Sequence, residues 1–197
     1  MKILFLGDVV GEAGCFKITT DLLDQINKHK IDFVIVNGEN ADQSGVGLNQ
    51  LICENFFKSG VDVITTGNHV WDQKEIMKYV EVENRVLRPK NLFEPAPGNG
   101  FEIFKIKDDY KIGVLNLMGN VFMKKCDNVF EISKKFLKEY ELKKDYDFLV
   151  VDFHGEITSE KNAIGHFFDG KATLVVGTHT HIPTNDARIL ENGTAYQ

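Results

Sequence analysis

Short runs of β-branched and aromatic residues recur along the chain at 2–6, 31–37, 61–66, 101–106, 111–117, 147–153 and 172–177, with a weaker one at 187–190. Each is bounded by Gly, Asn or Asp, and within each the apolar character is continuous rather than alternating. That is the pattern of strands covered on both faces. Between them lie stretches with helical period. Residues 16–29 place Ile18, Leu22, Leu23 and Ile26 on one stripe, and 49–59 carry Leu51, Ile52, Phe56 and Phe57. A third helix is expected to begin at Asp72, where Asp-Gln-Lys-Glu reads as a capping box. Two more are expected over 128–140 and 159–168, the last started by Ser159. Strand–helix alternation of this kind predicts right-handed crossovers and a layered α/β fold. Residues 88–100 read as loop, leading into a hairpin of 101–106 with 111–117 that turns at Asp108-Asp109. No repeat, low-complexity tract or linker interrupts the pattern, so a single domain over 1–197 is expected.

Composition removes several classes of function. At 43% hydrophobic and 26% charged residues the chain is an ordinary globular protein. No apolar run approaches the roughly 20 residues of a membrane span. The apolar start is too short for a secretory signal and is ended by Asp8, so it reads as a buried first strand. Three scattered cysteines, Cys15, Cys53 and Cys126, have no paired spacing and suit reduced thiols in a cytoplasmic protein. A formal charge of -6 argues against a general nucleic-acid binder. It leaves a nucleotide substrate open, because bound cations reverse the field of an acidic pocket.

Polar residues fall where strands run out. Asp8 follows the first, Asn37-Gly38-Glu39-Asn40 the second, and Thr66-Gly67-Asn68-His69 the third; His154 and then His179-Thr180-His181 close two later ones. In open α/β sheets the carboxyl ends of parallel strands share the edge where ligands bind. Carboxylate, amide and imidazole donors suit manganese, iron or zinc rather than a thiolate site. Taken singly, each has an ordinary reading: Asp8 as a turn former, Glu39-Asn40 as turn chemistry, His154 as a hydrogen-bonded core histidine. His179 and His181 are stronger, because alternate residues of an extended segment point to one side. Five such strand ends together make innocence of the whole set improbable. His29 and His166 fit surface or helix positions.

Gly7-Asp8, Gly38-Glu39-Asn40, Gly67-Asn68-His69, His154 and Gly177-Thr-His179-Thr-His181 resemble, in order, the five motifs of the calcineurin-like metallophosphoesterase superfamily. The flanking text resembles the YmdB-type bacterial branch, from residue 1 to the last. The resemblance implies a four-layer α/β/β/α sandwich holding two divalent transition-metal ions, iron or manganese first, zinc or magnesium as alternatives. It also implies phosphodiesterase activity on 2′,3′-cyclic nucleotides, and on RNA as a further substrate, by attack of a metal-bridging hydroxide. Glu39 would bridge the metals, with Asp8, Asn40 and His181 on one and Asn68, His154 and His179 on the other. Two positions depart from the wider superfamily. Asp8-Val9-Val10 stands for Asp-x-His, and Glu39 for a bridging Asp. Asn120 stands where an arginine is common in the branch. Members of the branch continue for several dozen residues past the point reached by Gln197, so an edge of one sheet is expected to be missing.

His69 is the expected proton donor to the leaving oxygen, beside the ligand Asn68. Asp42, three residues after Glu39, is expected to orient it, as an acid at that spacing does in related phosphatases. The Ser44-Gly45-Val46-Gly47 loop is expected to present free backbone amides to an anion, making Ser44 and Gly45 substrate contacts. A dinucleotide-binding oxidoreductase is the first rival, since Gly7-x3-Gly11-x2-Gly14 follows a strand, although the spacing is wrong and Asp8 would repel a pyrophosphate. A phosphomonoesterase, a protein phosphatase, and a regulatory protein retaining the metal fold are the others. Association of copies of the chain stays open.

Overall fold

Four parallel strands in sequential order, β1 (Ile3–Leu6), β2 (Phe33–Asn37), β3 (Val63–Thr65) and β4 (Val86–Leu87), build the first sheet. The computed structural model describes all residues from 1 to 197 and divides into two units. The first comprises Met1–Arg88 with Pro97–Asn99, the second Pro89–Ala96 with Gly100–Gln197.

In the first unit, β1 passes to β2 through α1 (Gly11–His29) and β2 to β3 through α2 (Gln50–Lys58). Ile18 and Leu22 of α1, and Cys53 and Phe56 of α2, pack with Val34, Val36, Ile64 and Val86 in one apolar cluster. Burial of each such side chain stabilises by about 1.5–3 kcal/mol. Strand residues of the opposite parity, Phe33, Ile35, Val63 and Leu87, are buried as well. This is why the strands read as unbroken apolar runs. Helix α1 begins five residues before the expected start at residue 16. Gly11 takes a φ of +55° as its N–H donates to the Asn40 carbonyl (2.8 Å), bending the chain into the helix at once. A Cβ on Gly14 would lie 2.7 Å from Val9 Cγ1, so the first turn can pack on the segment leaving β1 only with glycine there. The glycines thus serve a turn and a packing contact. With β1 at the sheet edge, paired only to β2, the dinucleotide-binding order that places the first strand centrally is not followed.

The expected helix at Asp72 does not form. Residues 69–75 are turns, and only Ile76–Tyr79 is helical (α3), capped by Glu75 without a side-chain hydrogen bond. Asp72 lies inside this run of turns instead of capping a helix, and its Oδ2 stands 2.5 Å from His69 Nδ1.

The second unit carries a six-stranded sheet. β5 (Phe101–Lys105) runs antiparallel to β6 (Lys111–Met118), turning through Asp108 and Asp109, both at φ +60°. β6, β7 (Phe148–His154), β8 (Leu174–Thr178) and β10 (Ala195–Tyr196) are parallel, and β9 (Arg188–Ile189) pairs antiparallel with β10. Helices α4 (Val129–Glu139) and α5 (Thr158–Phe167) supply Phe136 and Ile164 to a core with Leu115, Leu117, Leu149, Val151 and Phe153. Asn128 caps α4 through its side chain, whereas α5 starts at Thr158, one residue before the expected Ser159, after an Ile157 cap. The short β4 and β10 were invisible to pattern reading, since two residues carry no period. The fold is α/β with two sheets, as the alternation required. No helix is long and apolar enough to cross a membrane.

Candidate functional site

At the carboxyl edge of the first sheet, backbone bonds zip successive strand ends together. Val9 N–H donates to Asn37 O (2.9 Å), Val10 bridges to Asn40, and Gly38 N–H donates to Thr65 O (2.9 Å). These contacts collect Asp8, Glu39, Asn40, Asn68 and His69 along one edge. Glu39 is only 1% exposed, and one of its carboxylate oxygens accepts the His69 backbone N–H at 3.1 Å. An ionised carboxylate so buried is costly unless charge-compensated. Asn40 donates from Nδ2 to the Gly45 carbonyl at 2.9 Å, and of its two amide atoms only Oδ1 has the lone pairs a ligand needs.

Two sequence expectations are corrected in this unit. Asp42 does not hold His69. Its Oδ1 accepts from Ser44 N (2.9 Å) and Ser44 Oγ (2.7 Å), and its Oδ2 accepts from Asn49 Nδ2 (3.0 Å). The Ser44 backbone N–H holds the Asp42 carboxyl below its ordinary range, the hydroxyl and Asn49 adding to the effect. His69 Nδ1 instead meets Asp72 Oδ2 at 2.5 Å. Nor are the amides of Ser44, Gly45 and Gly47 free to meet an anion, as was expected of the loop. Ser44 N–H goes to Asp42 Oδ1, Gly45 N–H to Asp42 O (2.8 Å) and Gly47 N–H to Glu39 O (2.6 Å). Gly47, at φ +84°, packs so closely on Gln73 that a Cβ would lie 2.8 Å from its Cγ. The loop is a tightly bonded support for Glu39, with Gln73 Nε2 donating to Val46 O (3.0 Å).

The second unit orients imidazoles. Register pairs Met118 with His154 and His154 with Thr178, so His154 stands between two neighbours at the carboxyl ends of β6, β7 and β8. His154 is fully buried, and its Nδ1 lies 3.0 Å from Thr178 Oγ1. The Thr178 hydroxyl donates in turn to Asp152 Oδ1 at 2.7 Å. Since that hydroxyl spends its proton on the carboxylate, it can only accept from His154, which puts the His154 proton on Nδ1 and the lone pair on Nε2. His179 Nε2 faces Glu156 Oε2 at 3.0 Å, which puts its proton on Nε2 and its lone pair on Nδ1. These two lone-pair atoms, His154 Nε2 and His179 Nδ1, stand 3.1 Å apart. Two nitrogens bound at about 2.0–2.1 Å to one ion with ordinary angles are separated by roughly 2.9–3.4 Å. Facing lone pairs repel unless positive charge lies between them, so the donors fit a shared cation. His179 also holds a φ of +97° and His181 one of +54°, conformations that non-glycine residues adopt at a cost and that cluster at functional sites. His181 is exposed and follows Thr180, whose Oγ1 accepts from Lys161 Nζ at 3.3 Å.

Asn120, standing for an expected arginine, is occupied structurally. Its Oδ1 accepts from Val129 N (2.9 Å), its Nδ2 donates to Asp127 O (3.1 Å), and its N–H donates to Glu160 Oε1 (2.9 Å). Pattern reading placed Asp152 and Thr178 at strand ends without giving them a role, and missed Glu156. For Asp152 the signal was present, since it lies two residues before His154 on the same strand face.

An α/β scaffold whose parallel strand ends carry carboxylate, amide and imidazole donors in this order defines a calcineurin-like metallophosphoesterase. The sequence profile of the YmdB-like proteins matches residues 4–197, and the chain belongs to that family. It is 42% identical over 196 residues to a 2′,3′-cyclic-nucleotide 2′-phosphodiesterase of Bacillus subtilis, spanning all of this chain and 73% of that one. A hypothetical protein of Thermus thermophilus has a solved structure that superposes with a TM-score of 0.92 at 40% identity, covering 100% of this chain and 75% of its own. The structure of a novel phosphatase from Mycoplasma pneumoniae superposes at 0.90 with 40% identity, over 100% and 70%.

Proposed function

We propose that the chain is a metal-dependent phosphoric diester hydrolase acting on 2′,3′-cyclic nucleotides. Asp8, Glu39, Asn40, Asn68, His154, His179 and His181 ligate two transition-metal ions, iron or manganese, with Glu39 as the shared carboxylate. The observation that carries this reading is the pair of oriented imidazoles, whose lone-pair atoms stand 3.1 Å apart. When bound, the ions supply Lewis-acid stabilisation of phosphoryl charge and a water of lowered pKa. The protein's own part is to hold the donors and to manage one proton. In hydrolysis of the cyclic ester a water oxygen joins phosphorus, one ribose P–O bond breaks, and the departing alkoxide must be protonated. His69 supplies that proton, its backbone N–H tied to Glu39 and its position in the chain next to the ligand Asn68. RNA is a further substrate, and the three free thiols fit a reducing cytoplasm.

Elemental analysis of the purified protein, with turnover measured on cyclic nucleotides, linear diesters, monoesters and short RNA, tests this reading. Two ions per chain and highest kcat/KM on the cyclic esters are expected. His69→Ala should keep its metals and lose about 10²–10⁴-fold in kcat on esters with strongly basic leaving groups. A metal-free yet active protein would sink the metal assignment, and a monoester preference the substrate.

A further inference from the structure

We infer that Asp72 is the positioning residue of this reaction, holding the His69 ring so that Nε2 is aimed at the leaving oxygen. The inference rests on the proton-donor reading of His69. Asp72 Oδ2 lies 2.5 Å from His69 Nδ1, close enough to fix the ring about its χ angles. Backbone geometry sets up the contact. Asp72 N–H donates to the His69 carbonyl at 3.0 Å, and Val70 N–H to Gly67 O at 3.3 Å, so both side chains spring from one closed turn.

That turn is itself anchored. At one end His69 N–H binds a Glu39 carboxylate oxygen, and at the other Gln73 Nε2 donates to Ser44 Oγ (3.3 Å) and Val46 O (3.0 Å). His69 and Asp72 side chains keep 27% and 31% of their surface, so the pair is sheltered yet reachable by substrate. A carboxylate on Nδ1 leaves Nε2 as the outward nitrogen. Asp42, the residue that spacing after Glu39 would nominate, has both oxygens engaged by Ser44 and Asn49. The orienting acid therefore comes from the histidine's own turn.

The test compares the metal-loaded parent with Asp72→Asn, His69→Ala and the double variant, on aryl phosphodiesters of graded leaving-group basicity and on a 2′,3′-cyclic nucleotide. Metal content is measured on every sample. Asp72→Asn should lower kcat on the most basic leaving groups about 10–100-fold, a part of the general-acid contribution, with KM and metal content unmoved. Its rates should fall more steeply with leaving-group basicity than the parent's, as in His69→Ala, and the double variant should be no slower than His69→Ala. An equal slowing on all esters, lost metal, or multiplicative losses in the double variant would overturn the role of Asp72. Steepening in His69→Ala without steepening in Asp72→Asn refutes the positioning role alone. No steepening in His69→Ala refutes the donor reading beneath it.

Discussion

Replacing Thr178 by valine removes one oxygen from the interior at nearly constant shape, and the consequences can be worked from its two contacts. The hydroxyl donates to the buried Asp152 carboxylate at 2.7 Å and receives His154 Nδ1 at 3.0 Å. A hydrogen bond to a charged group contributes about 1.5–3 kcal/mol and a neutral one about 0.5–1.5 kcal/mol. Loss of both should destabilise the metal-free protein by roughly 2–4 kcal/mol, or about 4–16 °C in melting temperature for a chain of this size. The more diagnostic effect is on the metal. Without its partner, His154 no longer has its proton held on Nδ1, and loss of such an outer hydrogen bond typically costs about 10–100-fold in metal affinity, roughly 1.4–2.7 kcal/mol. Chelator competition on the parent, Thr178→Val and Thr178→Ser measures affinity directly, and melting in chelator reports the metal-free stability. Serine keeps the hydroxyl and should recover most of the affinity. Parental metal affinity in Thr178→Val would refute the idea that the Asp152–Thr178 pair sets the His154 tautomer.

Two further expectations concern stability alone. Burial, the dominant influence, holds the Asp62 carboxyl above its usual range although its Oδ2 accepts Val34 N–H at 2.7 Å. An acid raised in the folded state favours folding below its unfolded pKa and loses that contribution as pH rises through the folded value. Asp62→Asn, which can still accept from Val34, should therefore be more stable than the parent at neutral pH, with the gap closing as pH falls toward about 4; an unchanging gap across that window in urea melts would contradict this. Gly100→Ala should destabilise the protein by about 1–3 kcal/mol or more. A Cβ there would run into Lys90 Cα and lie 2.7 Å from Lys90 N, backbone atoms that cannot swing aside, so an unchanged urea midpoint would show that the loop yields.

All strands but the two-residue β4 and β10, and four of the helices, were legible because burial on both faces forces unbroken apolar runs, and one-sided burial forces a period near 3.6. Strand ends were legible for a related reason. Apolar demand stops where a sheet stops, so Asp8, Glu39, Asn68, His154 and His179 stand out as polar residues at those points. The assignment of Asp42 and Asp72 was not legible. Each lies in a turn within reach of several donors, and which donor wins depends on the path of neighbouring loops. Asp42 was taken by Ser44 and Asn49 of its own loop, leaving His69 to Asp72.

What the sequence determined by itself, then, was the alternation of elements and the polar residues that stand at the strand ends, because both follow from local periodicity and side-chain chemistry. Tertiary structure alone decided which nitrogen of each histidine carries its proton, since Thr178 and Glu156 reach His154 and His179 from 24 and 23 positions away in the chain. Hydrogen bonds between strands and loops set those partners, and a linear pattern holds no record of them.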